Sequence, residues 1–170
     1  MSYSVRRLAR CGVLVALALA LSWAEGMLPL MAWIPIPGFK LGMANLVTVF
    51  SLCRLGTGQA LLILLCRCLL GALFAGSPLS LAFSLAGGLL AFGAMALLLR
   101  CPGLSLYGVC LAGAACHNVG QVAAAAAVLG SGTAAVFLPP LLLMSLVSGA
   151  LTGGLSTLLV HRIPPLEVRT

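Results

Sequence analysis

Apolar residues in this chain form six long runs, separated by short segments rich in polar residues, Gly or Pro. The runs extend over about 11–30, 41–53, 59–74, 79–99, 104–129 and 134–160. They do not alternate, and a membrane-spanning helix needs roughly 20 apolar residues whereas a barrel strand needs roughly 9–11 alternating ones. The pattern therefore predicts an all-α integral membrane protein with six transmembrane helices, the last of them broken or kinked at Pro139-Pro140.

Composition points to the same class. Hydrophobic residues make up 62% of the 170 residues and charged residues only 6%, and the mean hydropathy is +1.23. A soluble domain carries about 25% charged residues. Soluble enzymes, nucleic-acid-binding proteins and disordered chains are therefore excluded, and the lipid bilayer is the expected surrounding. The seven cysteines show no Cys-x-x-Cys spacing, so we expect neither disulfides nor a zinc site.

Basic residues lie almost entirely on one side of the predicted topology. With the N-terminus in the cytoplasm, the residues on the inner side are Arg6, Arg7, Arg10, Arg54, Arg100, Arg162 and Arg169. Only Lys40 falls outside, and Arg67 lies within the membrane. Because cytoplasmic loops carry the excess of Lys and Arg, we expect one transmembrane domain, residues 1–170. Its basic N-terminus (1–10) and its tail (162–170) would both be cytoplasmic.

The start of the chain allows a second interpretation. Basic residues, an apolar core and Ala18-Leu19-Ala20 resemble a cleavable signal peptide. Cleavage would leave five spans, which nothing in the sequence requires. Since Glu25 and further apolar residues follow at once, we favour an uncleaved first helix.

Polar residues in or beside the predicted spans are the candidate functional residues, because such groups are expensive in a bilayer. They are Glu25, Lys40, Asn45, Arg67, His117, Asn118 and Gln121. At about 1.5 Å of rise per residue, the groups from the first, second and fifth helices reach a similar depth in the outer half of the membrane, with Arg67 just beneath them. We therefore predict a substrate-binding cavity in the outer half of the bundle.

Each group suits a particular contact with a small-molecule substrate. Arg67 and Lys40 are expected to meet an anionic group. The three amide side chains and His117 are expected to recognise polar groups, and Glu25 to act as a counter-ion or to bind a cationic group. In the structural alternative, Glu25 pairs with Arg67 and the amides lock helices together. We expect no catalytic residue, metal or cofactor.

Small residues recur every four positions along the first helix, at Gly12, Ala16, Ala20 and Ala24. Such a stripe lets helices approach closely, although in a chain so rich in alanine it also arises by chance. We interpret Gly87-Gly88 and Gly149-xxx-Gly153 as packing positions inside the bundle.

Two separated motifs carry a resemblance to a known family. They are Pro37-Gly-Phe-Lys-Leu-Gly-Met-Ala-Asn45, followed by Thr48, and Ala115-Cys-His-Asn-Val-Gly-Gln121. Together with the Arg67 span and the Gly87-Gly88 pair, they resemble the bacterial Gx transporter family, also labelled heptaprenyl diphosphate synthase component I. That family is similar in size and topology to the substrate-binding (S) subunits of energy-coupling factor transporters.

The resemblance implies a location, a ligand site and partners. It implies the bacterial cytoplasmic membrane and a ligand bound beneath the loop between the first two helices, here 31–40. It also implies docking on a transmembrane coupling subunit through Ala16 and Ala20. The sequence has no Gly-x-x-x-x-Gly-Lys-Ser/Thr motif, so the paired ATPases of an ATP-driven importer would be separate chains.

The synthase label can be weighed by chemistry. Prenyl diphosphate elongation holds magnesium on Asp-rich motifs, and magnesium prefers carboxylate and other oxygen ligands. The sequence has no Asp and two Glu, Glu25 and Glu167, so we expect no enzymatic activity. Two alternatives to an importer subunit stay open. One is a non-catalytic membrane accessory of isoprenoid or quinone metabolism, and the other is an ion-coupled carrier working alone with Glu25 and His117 as proton sites.

Overall fold

Every regular element is helical in the part of the chain that the computed structural model describes, which is residues 3–27, 42–130 and 132–163. The elements are α1 (Tyr3–Met27), α2 (Met43–Leu55), α3 (Thr57–Ala75), α4 (Pro78–Leu98), α5 (Leu106–Leu129), a short 3-10 helix (Gly132–Phe137) and α6 (Leu138–Arg162). The predicted all-α class is therefore confirmed.

Five of these six α-helices are long and apolar enough to cross a membrane. The exception is α2, whose 13 residues extend over only about 20 Å, less than the roughly 30 Å of a bilayer core. The chain is thus an all-helical, multi-pass membrane protein. That the bundle crosses the bilayer six times, with both termini in the cytoplasm, stays a prediction.

The starts of α1 and α6 differ from the starts of the corresponding apolar runs. α1 begins at Tyr3 rather than near Cys11, because the helix continues through the arginines that precede the apolar run, and Arg is a good helix former. The predicted break at Pro139-Pro140 is confirmed as the start of α6, where both prolines lie in the first turn. Proline is tolerated there because the first N–H groups of a helix have no partner within it.

The short helix α2 lies at the centre of the bundle. It is the one described helix that contacts all five others. Its residues from Ala44 to Leu52 are buried without interruption, as is Leu55. A helix that is apolar on every side is stable only when other helices surround it, so the remaining five helices form the wall around α2.

Contacts at the C-terminal end of α2 define one end of the bundle. The Arg54 guanidinium donates hydrogen bonds to the carbonyl oxygens of Val160 and Ile163 near the end of α6. Cys11 of α1 belongs to the same apolar cluster as Leu55. Since α4 also ends here and α5 begins here, we call this the basic end, because Arg54, Arg100 and Arg162 all belong to it.

Glycines set the closest helix contacts. A Cβ on Gly120 of α5 would lie 2.5 Å from the carbonyl oxygen of Ala86 and 2.8 Å from the Cα of Gly87, both on α4. A Cβ on Gly149 of α6 would lie 2.7 Å from the Cα of Leu111 on α5. Backbone therefore lies against backbone at both interfaces, which confirms the interpretation of Gly87 and Gly149 as packing positions.

We expect Gly120→Ala to lower the free energy of unfolding by about 1–3 kcal/mol, because the added methyl group would collide with the backbone of α4. Gly93→Ala is the matched control on α4, since a Cβ there would meet nothing within 4 Å. It should be neutral or stabilise the protein by up to about 1 kcal/mol through helix propensity. Thermal unfolding of both variants in detergent measures the difference, and equal midpoints would contradict the close packing of α4 on α5.

Candidate functional site

A cavity of about 690 Å³ lies at the end of the bundle opposite the basic end. Its position follows from the elements that line it. Glu25 belongs to the last turn of α1, and Gly42 directly precedes α2. Ala75 ends α3, and Ser80 belongs to the first turn of α4. The cavity therefore lies where α1 and α3 end and where α2 and α4 begin.

The cavity gathers most of the polar residues predicted from the sequence. The predicted residues that line it are Glu25 from α1, Asn45 from α2, Arg67 from α3, and His117 and Gln121 from α5. Four helices thus bring one polar side chain or more to a common space, in agreement with the depth estimate. Lys40 lies outside the described residues. The binding roles of the five lining residues stay predictions.

Glu25 caps the N-terminus of α2 from a different helix. Its carboxylate oxygens accept hydrogen bonds from the backbone N–H groups of Gly42 (2.9 Å) and Met43 (3.1 Å). The residue at the N-cap position is Gly42 itself, with φ at 71°, and glycine has no side chain that can cap. The buried carboxylate therefore supplies both the acceptors and the negative charge that a helix N-terminus favours.

Arg67 differs from Glu25 in the hydrogen bonding of its polar atoms. Its side chain is buried, with a relative exposure of 9%, and it lines the cavity. Two of its nitrogens, Nε and Nη2, are buried without a hydrogen-bond partner among the residues that the structure describes. The Glu25 oxygens accept bonds from the start of α2, and neither of these two Arg67 nitrogens donates to them.

The glycine pair of α4 leaves room for polar side chains of α3 and α5. A Cβ on Gly87 would lie 2.9 Å from the Cγ of Gln121 and 3.0 Å from the Cε1 of His117. A Cβ on the adjacent Gly88 would lie 3.5 Å from Nη2 of Arg67. The two glycines thus face different helices, and the missing side chains leave room for the polar groups of α3 and α5 beside α4.

Sequence reasoning missed several lining residues. Ser80 and Ser84 line the cavity from α4, and their signal was the spacing of four residues that puts them on one helix face. The apolar residues Leu19, Trp23 and Phe74 also line it, but nothing distinguished them from the rest of an apolar sequence. Apolar walls with a few polar groups are typical of small-molecule sites, and the volume lies within their usual range of about 300–1,000 Å³.

Asn118 has a different environment from its neighbour His117. Its amide nitrogen donates a hydrogen bond to the carbonyl oxygen of Leu141, 2.8 Å away on α6, and its side chain is buried. It is not among the residues that line the cavity. This amide thus links α5 to α6, which is the role that the structural alternative gives to buried amides.

Of the two predicted docking residues on α1, only one lines the cavity. Ala16 and Ala20 are both exposed, but Ala20 in addition lines the cavity. The inner face of α1 consists of Cys11, Leu14 and Ala18, which are buried together with Glu25. The stripe of small residues therefore lies away from the helices that α1 contacts, α2 and α3.

Comparison with known proteins gives one match. The family model described as heptaprenyl diphosphate synthase component I matches residues 14–159, which is most of the chain. No curated protein matches the chain, and no solved structure does.

We expect Glu25→Gln to weaken the cap on α2. Glutamine has one acceptor oxygen and no charge, so one of the two N–H groups loses its acceptor, at a cost of about 1–3 kcal/mol. Hydrogen exchange at the Gly42 and Met43 amides should become faster. Glu167→Gln, which removes the other carboxylate of the sequence, is the control and should leave that exchange unchanged. Unchanged exchange in Glu25→Gln would show that the carboxylate does not hold α2.

We expect Asn118→Leu to lower stability by about 1 kcal/mol, because one buried hydrogen bond is lost, and to leave ligand retention unchanged. Gln121→Leu, on the same helix, removes a polar group from the cavity and should reduce retention. The measurement compares thermal unfolding with the small molecules retained from the host by each purified variant. Loss of retention in Asn118→Leu at unchanged stability would restore the recognition role predicted from the sequence.

Proposed function

This chain belongs to the heptaprenyl diphosphate synthase component I family, and we propose that it is the membrane-embedded substrate-binding subunit of a small-molecule importer of the energy-coupling factor kind. One observation carries the proposal. A cavity of about 690 Å³ is lined by polar side chains from five helices, and one of them, Arg67, has buried nitrogens without partners among the described residues. Polar groups are expensive inside a membrane, so such a cluster favours a ligand site.

The arrangement of charge supports uptake from outside the cell. The cavity lies opposite the basic end, to which Arg54, Arg100 and Arg162 belong. Because positive residues favour the cytoplasmic side, the basic end would face the cytoplasm. The cavity would then lie in the outer half of the membrane, where an importer subunit captures its substrate.

Energy for transport would come from other chains. The sequence has no Gly-x-x-x-x-Gly-Lys-Ser/Thr motif, which is the loop that cradles nucleotide phosphates in many ATPases. α1 contacts α2 and α3 alone among the described helices, and Val13, Ala16 and Leu17 on it are exposed. We propose this face of α1 as the contact with a transmembrane coupling subunit, which would connect the chain to paired ATPases.

We also propose that the chain is not itself an enzyme. Glu25 is the one carboxylate side chain in the described residues, and it already accepts two backbone hydrogen bonds. The second candidate function, a non-catalytic membrane accessory of isoprenoid metabolism, is favoured by the family's description as a synthase component. In that role the cavity would hold a lipophilic molecule.

Purification of the tagged chain from its host in mild detergent, followed by mass spectrometry of proteins and small molecules, separates the two functions. The importer proposal expects a membrane coupling subunit, two ATPases and a vitamin-sized molecule. Prenyltransferases or quinone enzymes without ATPases would overturn it in favour of the accessory role.

We expect Ala16→Trp to prevent co-purification of the coupling subunit and to leave the retained small molecule in place, because Ala16 is exposed and does not line the cavity. Ala20 is unsuitable for this test, since it does line the cavity. Leu143→Trp on α6 is the matched control, at a side chain that is 64% exposed, and should retain all partners. Full co-purification in Ala16→Trp would remove this face of α1 from the proposal.

A further inference from the structure

We infer that the substrate of this cavity is an organic molecule with an apolar body and a single carboxylate group, which Arg67 binds while Glu25 remains engaged on α2. The inference rests on the proposed substrate-binding function and names the chemical class of the substrate.

Arg67 is the cation that an anionic substrate would meet in the cavity. Of the cavity-lining residues in the described part of the chain, Arg67 is the one Lys or Arg. It is buried to nine-tenths or more, with Nε and Nη2 unpartnered there. A buried cation whose nitrogens lack hydrogen-bond acceptors is costly. An anion in the cavity would supply both charge and acceptor atoms, and guanidinium matches the planar geometry of a carboxylate.

A Glu25 carboxylate without hydrogen-bond donors would favour a cationic substrate. Both of its oxygens already accept N–H groups, at 2.9 Å and 3.1 Å, from the start of α2. The positive end of that helix stabilises the carboxylate where it is. Because that helix end already compensates part of the carboxylate's charge, a cationic substrate would gain less from Glu25, and it would also face the charge of Arg67. The cap therefore disfavours cations.

The positive charge in the cavity limits how much negative charge a substrate can bring. Among the described residues that line the cavity, Arg67 is the one cation, and Asn45, Gln121 and Ser84 contribute uncharged hydrogen-bonding groups. A monocarboxylate would bring about one net negative charge into the cavity. A diphosphate would bring about three, against the same single guanidinium, and each uncompensated charge in an apolar bundle adds a desolvation cost. This favours a carboxylate over a prenyl diphosphate.

The apolar lining of the cavity indicates the character of the rest of the substrate. Leu19, Trp23 and Phe74 line the cavity, and aromatic side chains of this kind stack on flat, apolar groups. A cavity of about 690 Å³ suits a drug-sized or vitamin-sized molecule. The amides and hydroxyls leave room for one or two further neutral polar groups.

The test uses small-molecule extract of the host, separated by ion exchange into cationic, neutral, monoanionic and polyanionic pools. Each pool is added to the purified chain in detergent, and thermal unfolding is followed. We expect the monoanionic pool alone to raise the midpoint, by about 3 °C at saturating concentrations. Conversion of the carboxylates in that pool to methylamides, with carbodiimide and methylamine, should abolish the shift.

Variants assign the effect to Arg67. Arg67→Gln should lose the response to the monoanionic pool, while Arg100→Gln, at an exposed arginine of the basic end, should keep it. If Arg67→Gln does not fold, the methylamide pool added to the unmodified chain tests whether a carboxylate is required. Arg67→Lys then tests whether a guanidinium is required. A full response in a folded Arg67→Gln variant would overturn the role of Arg67.

The outcomes also separate this inference from the proposed function. A shift caused by the cationic or the polyanionic pool would overturn the carboxylate class and leave the substrate-binding function in place. A shift that survives methylamide conversion would do the same. The absence of a shift with every pool would overturn both.

Discussion

The structure depends on how the backbone N–H groups in the first turn of α2 find hydrogen-bond acceptors in an apolar bundle. α2 has only 13 residues and contacts all five other described helices, and Gly42 and Met43 at its start are half-buried. The first N–H groups of a helix lack partners within it, and Gly42 offers no side chain. Glu25 of α1 supplies the acceptors. The cavity lies at the start of α2, where Gly42 and Asn45 line it.

Two ionised side chains thus have different roles in one cavity. Glu25 stabilises the fold, since it ties α1 to the start of α2. Arg67 makes no comparable bonds through Nε and Nη2 within the described residues. An anion bound at these nitrogens would offset the cost of burying the charge. This difference in hydrogen bonding between Glu25 and Arg67 is the basis of the substrate class that we propose.

Close packing and binding are linked through α4. Gly87 and Gly88 follow each other in the chain but face α5 and α3 respectively, since successive residues on a helix point about 100° apart. The same rule explains why His117 lines the cavity whereas Asn118 bonds to Leu141 on α6. A depth estimate places both residues at one level of the membrane, but depth does not determine the direction in which a side chain points.

The sequence by itself determined the helical membrane class and grouped polar residues of several helices at one estimated depth, because long apolar runs and the rise per residue are local properties of the chain. It also indicated the family, through the motifs around Asn45 and His117. Only the tertiary structure decided that α2 is central, that Glu25 caps it and that Ala20 lines the cavity. Those facts depend on which helices are neighbours and how each is rotated, and in a chain apolar on nearly every face the hydrophobic pattern contains no such information.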